Sequence, residues 1–342
     1  MASFMLKQRR LERRHPYCTG MRILAVLVLC AALSGQAPAP QAPAGDDLPS
    51  IKVDVNVVSL LASVRDKRGA LVPNLEKNDF TVLEDGKPQD IKYFARETDL
   101  PLTIGLLVDV SRSQENLIQV ERSAASEFFR QVLQKKDEAF LISFGEECEL
   151  LQDYTQSAQL LNRGLNGLQV SSGVGGFGPG PVPTMGDPRG TVLYDAVYLA
   201  ASDKLRTEVG RKVIVVITDG VDQGSRMTIN QAVESAQKAD AVIYSIDYYD
   251  ASAYGMFGWG GGGGESALHK LSDETGGHVY KVDRRHPLEE VFKELQDEMR
   301  SQYSIGYTPT NPAKDGSYRH LEIKLANKDM KAQARKGYYA IK

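Results

Sequence analysis

Residues 102–113 read LTIGLLVDVSRS, and the side chains change from apolar to oxygen-bearing at Asp109. Leu102 to Val108 form an apolar run, as expected of a parallel strand that is covered on both faces. The run stops at Asp109, and Ser111 and Ser113 follow directly. The stretch therefore predicts a buried strand that brings a carboxylate and two hydroxyls to one edge of a sheet.

Apolar strands and amphipathic helices alternate from here to about residue 302. Further apolar runs lie at 139–144, 213–217, 241–246 and 278–280, with a short edge-like stretch around Leu150. Helical patterns lie between them, near 191–204, 228–239, 265–275 and 287–302. The first helix carries its apolar stripe on Leu117, Val120, Ala124, Phe128 and Val132. This alternation predicts an α/β fold with a doubly wound, mostly parallel six-stranded sheet, which binds ligands at the carboxyl ends of its strands.

The two flanks of this region, 51–98 and 303–342, have strand patterns instead. Val53, Val55, Val57 and Leu61 recur at period two, and the turn Asp85-Gly86 separates two further strands. In the second flank, 331–339 is expected to pair back onto the strand around Leu321 to Leu325. A few strands with one apolar face need a cover, so we expect both flanks to form one β-rich module. Two separate β appendages are the alternative.

The N-terminal residues 1–34 are predicted to be a signal peptide, with Met21 as an alternative start of translation. A short apolar run, 23–33, follows basic residues and is too short to cross a bilayer. A buried core helix is the alternative, but the Ala/Pro-rich segment 35–50 that follows is typical of a linker. We therefore expect an exported protein, secreted or held in the periplasm or cell envelope, whose mature chain has no membrane span.

Composition excludes several classes of protein. The formal net charge is −3, and the leader is basic, so the remaining chain is more acidic and nucleic acid is not an expected partner. Three cysteines are too few for a disulfide scaffold or a thiolate metal cage. The 42% of hydrophobic and 25% of charged residues are typical of a globular protein.

Oxygen-bearing side chains follow the ends of distant strands. Asp109, Ser111 and Ser113 come from the first strand, Asp219 ends the strand 213–218, and Thr191 opens a helix in the motif GTVLYD. Oxygen ligands suit a hard cation, so we predict a Mg²⁺ site, with Mn²⁺ or Ca²⁺ as alternatives. Each motif also has a simpler explanation, a turn for the Asp and Ser residues and an N-cap for Thr191.

With these spacings, the sequence resembles the von Willebrand factor type A domain and its metal-ion-dependent adhesion site. The motifs are DxSxS at 109–113, GTxLYD at 190–195 and TDG at 218–220, and the resemblance covers about 100–302. It implies that Asp109, Ser111, Ser113, Thr191 and Asp219 are metal positions, and that the domain binds a protein ligand presenting an Asp or Glu without catalysing a reaction. The flanks resemble a group of secreted bacterial proteins of the Acidobacteria type that carry this domain; the likeness lies in 64–66, 79–86 and 334–339.

Two other functions stay open at this point: a metal-dependent hydrolase or phosphatase using the same strand ends, and a structural envelope domain with an empty site. Phosphatases of the haloacid dehalogenase type need a second Asp where this chain has Ser111. Cys148 lies among Glu146, Glu147 and Glu149, which we expect to raise its pKa and lower its reactivity. Two glycine-rich loops, 171–190 and 251–265, are expected at the metal edge, the second carrying Trp259.

Overall fold

A computed structural model describes residues 57–96, 100–170, 190–248 and 263–341. The predicted signal peptide and linker, and most of both glycine-rich loops, lie outside these ranges. The strands are β1 (Val58–Arg65), β2 (Phe80–Glu84), β3 (Lys87–Gln89), β4 (Ile91–Arg96), β5 (Leu102–Asp109), β6 (Glu138–Phe144), β7 (Cys148–Thr155), β8 (Arg211–Thr218), β9 (Ala241–Asp247), β10 (Val279–Lys281), β11 (Tyr303–Tyr307), β12 (Tyr318–Leu325), β13 (Lys331–Ala334) and β14 (Gly337–Tyr339). The helices are α1 (Ile118–Val132), α2 (Ala158–Leu165), α3 (Leu193–Leu199), α4 (Ile229–Lys238), α5 (Gly263–Thr275) and α6 (Leu288–Arg300).

The central sheet has six strands in the order β10-β9-β8-β5-β6-β7, all parallel except the edge strand β7. Helices α1, α2 and α6 cover one face, and α3, α4 and α5 cover the other, each over its own apolar core. Burial on both faces explains why the side chains of β5 and β8 are buried along their whole length. The prediction of a doubly wound, mostly parallel six-stranded sheet is confirmed.

The flanks contribute strands to two further four-stranded sheets, in the orders β13-β1-β11-β4 and β14-β12-β2-β3. Strands from before and after the central region alternate in both sheets: β1 pairs with β11 and β13, and β2 pairs with β12. The two sheets enclose one apolar core. The β-rich module built from both flanks is therefore confirmed as part of the fold.

Two local predictions in the flanks are wrong, and one helix in the central region starts slightly later than predicted. In β1 the buried apolar residues are Val58, Leu60, Ala62 and Val64, whereas Val57 is 38% exposed, so the apolar face has the opposite phase. Strand β13 pairs with β1 and only β14 pairs with β12, so 331–339 is divided between the two sheets. Helix α3 begins two residues after Thr191 and continues as a π-helical turn over Ala200–Leu205.

Helix α1 buries Ala124, Phe128 and Val132 of its predicted stripe, but not Val120. Val120, placed on the buried face by the pattern, is 41% exposed, and its neighbour Glu121 is fully buried. Helix α2 was not predicted; it begins after Ser157, whose hydroxyl accepts a hydrogen bond from the N–H of Leu160.

Within the described ranges, no helix combines the length and the apolar character that a membrane crossing requires.

Candidate metal centre

Asp109 lies at the carboxyl end of β5, is fully buried, and has both side-chain oxygens engaged. Its Oδ1 accepts a hydrogen bond from the N–H of Ser111 at 2.9 Å, and its Oδ2 accepts one from the hydroxyl of Thr218 at 2.6 Å. Thr218 ends the neighbouring strand β8, and its oxygen accepts from the N–H of Gly220 at 3.1 Å. One buried hydroxyl therefore links Asp109 to the turn that carries Asp219.

Ser111, Ser113 and Asp219 form a line of side-chain oxygens beside Asp109. The hydroxyl oxygens of Ser111 and Ser113 are 3.0 Å apart, and the Ser113 hydroxyl donates to Oδ2 of Asp219 at 2.7 Å. The other oxygen of Asp219, Oδ1, accepts from the N–H of Val221 at 3.0 Å. Two segments more than a hundred residues apart in sequence thus bring three of the predicted metal positions into contact.

Thr191 is joined to the same place by its backbone. Its carbonyl oxygen accepts from the N–H of Gln223 at 3.0 Å and of Gly224 at 3.3 Å, both in the loop that follows Asp219. The two chains pass so closely that a Cβ on Gly224 would lie 2.6 Å from the carbonyl oxygen of Gly190. The segment that carries Thr191 is therefore fixed to the loop that carries Asp219.

The same loop caps the start of α3. The N–H of Tyr194 donates to Oδ1 of Asp222 at 3.2 Å, and the N–H of Asp195 donates to the hydroxyl of Ser225 at 3.1 Å. In return, Oδ1 of Asp195 accepts from the N–H of Met227 at 2.8 Å. These bonds satisfy backbone groups at the helix N-terminus and hold the two ligand-bearing segments in one register.

The spacing of the oxygens fits a small divalent cation. An octahedral Mg²⁺ with ligands at about 2.0–2.1 Å has neighbouring ligand oxygens about 2.9 Å apart. The separations from Ser111 to Ser113 and from Ser113 to Asp219 are 3.0 Å and 2.7 Å. No group of three or more His, Cys, Asp or Glu side chains suited to a metal occurs in the described ranges. A site at this edge therefore depends on the hydroxyls as well as the two carboxylates.

The electrostatics of the site also favour a cation. Burial raises the pKa of Asp109 to about 7, against the lowering effect of its hydrogen bonds from Thr218 and Ser111, and the nearby charge of Asp219 raises it further. Two neighbouring carboxylates that are both taken out of water repel each other. A divalent cation between them would remove this repulsion and favour the charged form of both.

The family model described as the von Willebrand factor type A domain matches residues 103–294, more than half of the chain. The chain belongs to the von Willebrand factor type A (VWA) domain family. The matched range runs from β5 into α6 and includes every predicted metal position. The β-rich flanks lie outside it.

Solved structures with a similar fold come from distant proteins. An aerotolerance-related membrane protein from Bacteroides fragilis, with multiple mutations to serines, is 16% identical over 58% of this chain and 98% of its own, with a TM-score of 0.41. Proximal thread matrix protein 1 from the mussel byssus, with a zinc-occupied MIDAS motif, is 12% identical over 64% of this chain and 50% of its own, with a TM-score of 0.45. The PilB minor pilin from Streptococcus sanguinis is 12% identical over 60% of this chain and 62% of its own, with a TM-score of 0.41. Such likenesses concern the fold alone. No curated protein sequence matches the chain.

Sequence analysis did not identify one buried residue close to Asp109 in this VWA domain, namely Glu121. It is fully buried on α1, and neither carboxylate oxygen has a hydrogen-bond partner in the described part of the chain. Burial raises the pKa of Glu121 well above its usual value, and the charge of Asp109 raises it further. The helical phase is the only sequence signal for Glu121, and the regular apolar spacing of α1 favoured Val120 instead.

Cys148, at the start of β7, is poorly suited to nucleophilic attack. Burial raises the pKa of its thiol to about 12, with smaller contributions from Asp195 and Glu147. The sequence analysis predicted the direction of this pKa shift correctly but attributed it to the flanking glutamates. Burial is the main cause, and of the three glutamates only Glu147 contributes. The thiol is therefore protonated at neutral pH.

Proposed function

We propose that this VWA domain is an interaction module whose Asp109, Ser111, Ser113, Thr191 and Asp219 hold Mg²⁺, directly or through metal-bound water, and that the ion binds an acidic side chain of a protein partner. The observation that carries the proposal is the line of oxygens from Ser111 through Ser113 to Asp219, at octahedral spacing and beside the buried Asp109. When bound, the ion would supply an electrophilic position that accepts a carboxylate.

The donor set leaves a coordination position of the ion open for a partner. Ser111, Ser113 and Thr191 contribute neutral oxygens, so only Asp109 and Asp219 offset the positive charge of the ion, which stays electrophilic at the open position. The side chains of Asp109 and Ser113 are fixed by hydrogen bonds, which restricts the arrangement of their oxygens before any ligand arrives. An Asp or Glu from the partner would complete the coordination of the ion.

Export is part of the proposal and rests on the sequence. The basic, apolar leader of residues 1–34 and the Ala/Pro-rich segment 35–50 support delivery of the mature domain to the cell envelope or the medium. There the domain would meet protein partners and divalent cations. No catalytic step is proposed, because the carboxylates and hydroxyls near the site would serve as ligands of the ion.

Calorimetric titration with Mg²⁺ and with Mn²⁺ tests the metal site. We expect binding to wild type and to Asp153→Ala, an acidic residue removed from an exposed position on β7, and loss of binding in Asp109→Ala. Asp109→Ala must remain folded by circular dichroism for the comparison to hold, and Asp109→Asn serves as a second variant of the same size. Equal heats from wild type and both Asp109 variants would contradict the metal assignment.

The carboxylate preference is tested with Mn²⁺-loaded protein and a defined probe, glutarate. Displacement of metal-bound water by the probe should lower the water-proton relaxation rate, and the uncharged diamide of glutarate should have no effect. A capture from envelope extract with and without EDTA would then identify partners. Turnover of generic phosphate or ester substrates that disappears in Ser111→Ala would instead favour the hydrolase.

A further inference from the structure

The 3₁₀ turn before helix α1 and the first turn of α1 each contain a buried polar side chain whose acceptors lack donors in the described part of the chain. Both carboxylate oxygens of Glu121 are without a hydrogen-bond partner, and so is Oε1 of Gln114. Both residues are fully buried. Buried acceptors of this kind are rare in folded proteins and usually point to water, an ion or a ligand.

Both side chains belong to the helical path that leads away from the candidate metal positions. The N–H of Gln114 donates to the carbonyl of Ser111 at 2.9 Å, that of Leu117 to Gln114 at 2.9 Å, and that of Glu121 to Leu117 at 3.0 Å. These successive turns place Gln114 and Glu121 on the same side of the path, facing the sheet. Gln114 also uses its Nε2 to donate to the carbonyl of Tyr248 at 3.2 Å, just beyond the end of β9.

Glu121 occupies a core position, and its surroundings do not compensate for a polar group there. The other buried residues of α1 are apolar: Ile118, Ala124, Ala125, Phe128, Phe129 and Val132. The charge that acts on the Glu121 carboxyl is that of Asp109, which is another acceptor. The space between α1 and Asp109 therefore lacks hydrogen-bond donors for the Glu121 carboxylate.

We propose that Glu121 and Gln114 are positioning residues of the metal site, whose oxygens accept hydrogen bonds from water carried by the bound cation on the inner side of Asp109. The inference rests on the proposed function, since it requires the divalent ion. Mg²⁺ gives up its water reluctantly and usually keeps several molecules in protein sites, and each of these brings two donors. The chemistry that Gln114 and Glu121 lack is thus the chemistry that a hydrated ion would supply.

The VWA domain offers a matched control in Glu298, which is also a fully buried glutamate on a helix. Its carboxylate is fully partnered: Ser63 donates to Oε1 at 2.9 Å, and Tyr280 at 2.7 Å and Arg65 donate to Oε2. Its contacts join α6 to β1 and β10, none of which carries a predicted metal position. Replacing Glu298 therefore removes a structural carboxylate, whereas replacing Glu121 removes one that the surrounding chain does not use.

The test measures Mg²⁺ affinity by calorimetry and the melting temperature without metal, on the full chain, for wild type, Glu121→Gln, Glu121→Leu and Glu298→Gln. We expect both Glu121 variants to bind Mg²⁺ about ten- to a hundredfold more weakly, the usual effect of removing groups that support metal ligands. Glu121→Leu should also melt at a higher temperature than wild type without metal, because an unpartnered polar group leaves the core. Glu298→Gln should melt lower and keep the wild-type Mg²⁺ affinity.

The outcomes separate this inference from the proposed function. If wild type does not bind Mg²⁺, the metal site itself fails, and the role of Glu121 fails with it. If wild type binds and both Glu121 variants bind equally well, the role of Glu121 is overturned and the metal site stands. A metal-free melting temperature of Glu121→Leu as low as that of Glu298→Gln would also overturn it, because Glu121 would then be a structural residue.

Discussion

The hydroxyl of Thr218 connects the two acidic residues of the site. It donates to Asp109 and accepts from the N–H of Gly220, next to Asp219, so it fixes both carboxylates with one buried atom. In Thr218→Val the shape is kept and the donor is lost. We expect the protein to lose about 1–3 kcal/mol of stability, because a buried acceptor is left without its partner.

The same substitution should weaken Mg²⁺ binding about ten- to a hundredfold, because Asp109 is no longer held in place. Thr218→Ser keeps the hydroxyl and should restore the wild-type affinity, which a purely steric role of the methyl group would not allow. Melting temperature and calorimetric titration check the two effects separately. Unchanged affinity in Thr218→Val would show that Asp109 does not need this bond.

Cys148 should be unusually slow to react. With a pKa of about 12, its thiolate fraction at pH 8 is about three orders of magnitude below that of an ordinary cysteine, and alkylation by iodoacetamide should slow accordingly. The rate should rise with pH until the protein unfolds. Replacing Cys18 and Cys30 by Ser leaves Cys148 as the single thiol, and the same protein in guanidinium chloride gives the unperturbed rate. Rapid alkylation of the folded protein would contradict the raised pKa.

The sequence predicts the residues at the strand ends better than the buried residues that pack behind them. Asp109 and Asp219 end apolar runs, and the carboxyl ends of parallel strands lie on one edge, so their proximity could be anticipated. Their role as ligands stays a prediction. Glu121 could not be anticipated, because a helix of 15 residues with apolar side chains at several phases does not reveal from sequence alone which face meets the sheet.

Among the secondary-structure elements, α5 packs closely against the site because one of its residues is a glycine. Gly264, in its first turn, lies against the Asp219-Gly220 turn so closely that a Cβ would be 2.1 Å from the carbonyl oxygen of Asp219 and 2.8 Å from the carbonyl carbon of Gly220. The contacted atoms are backbone, which cannot rotate away. The start of α5 therefore determines where Asp219 lies.

Gly264→Ala separates this contact from helix propensity. Propensity alone would make Ala favourable by about 1 kcal/mol in a helix. We expect the opposite, a loss of about 1–3 kcal/mol from overpacking together with weaker Mg²⁺ binding, because Asp219 must move. Lys270→Ala, at an exposed position of the same helix, is the control and should leave both quantities near wild type. A more stable Gly264→Ala with intact affinity would show that the close approach is not maintained in solution.

Strand existence and strand partners are predictable to different degrees. Period-two patterns and the turn Asp85-Gly86, where both residues have positive φ, indicate where strands begin and end. Pairing depends on residues far away in sequence. Strand β13 pairs with β1 and not with the preceding strand β12. The even-numbered apolar residues of β1 face the core because the second sheet covers that side. Neither the partner of β13 nor the buried face of β1 can be predicted from a local sequence pattern.

At the scale of the whole molecule, the two flanks depend on each other through a buried carboxylate. Glu84, in β2, accepts from Arg319 at 3.0 Å, from the hydroxyl of Tyr307 at 2.6 Å and from that of Tyr338 at 3.0 Å. All three donors come from the C-terminal flank. Removing the donors of a buried charge costs several kcal/mol, since the charge can neither pair nor reach water.

Deleting residues 303–342 should therefore unfold the N-terminal flank. Strand β1 would lose both of its neighbours, β11 and β13, and β2 would keep only the three-residue strand β3. A two-stranded ribbon is at best marginally stable in water. We expect 57–96 to become sensitive to limited proteolysis, with cleavage sites located by mass spectrometry, whereas the full chain under the same conditions should be resistant there. If 57–96 stays resistant after the deletion, the N-terminal strands are stabilised by the VWA domain itself, and the shared module is not the unit that folds.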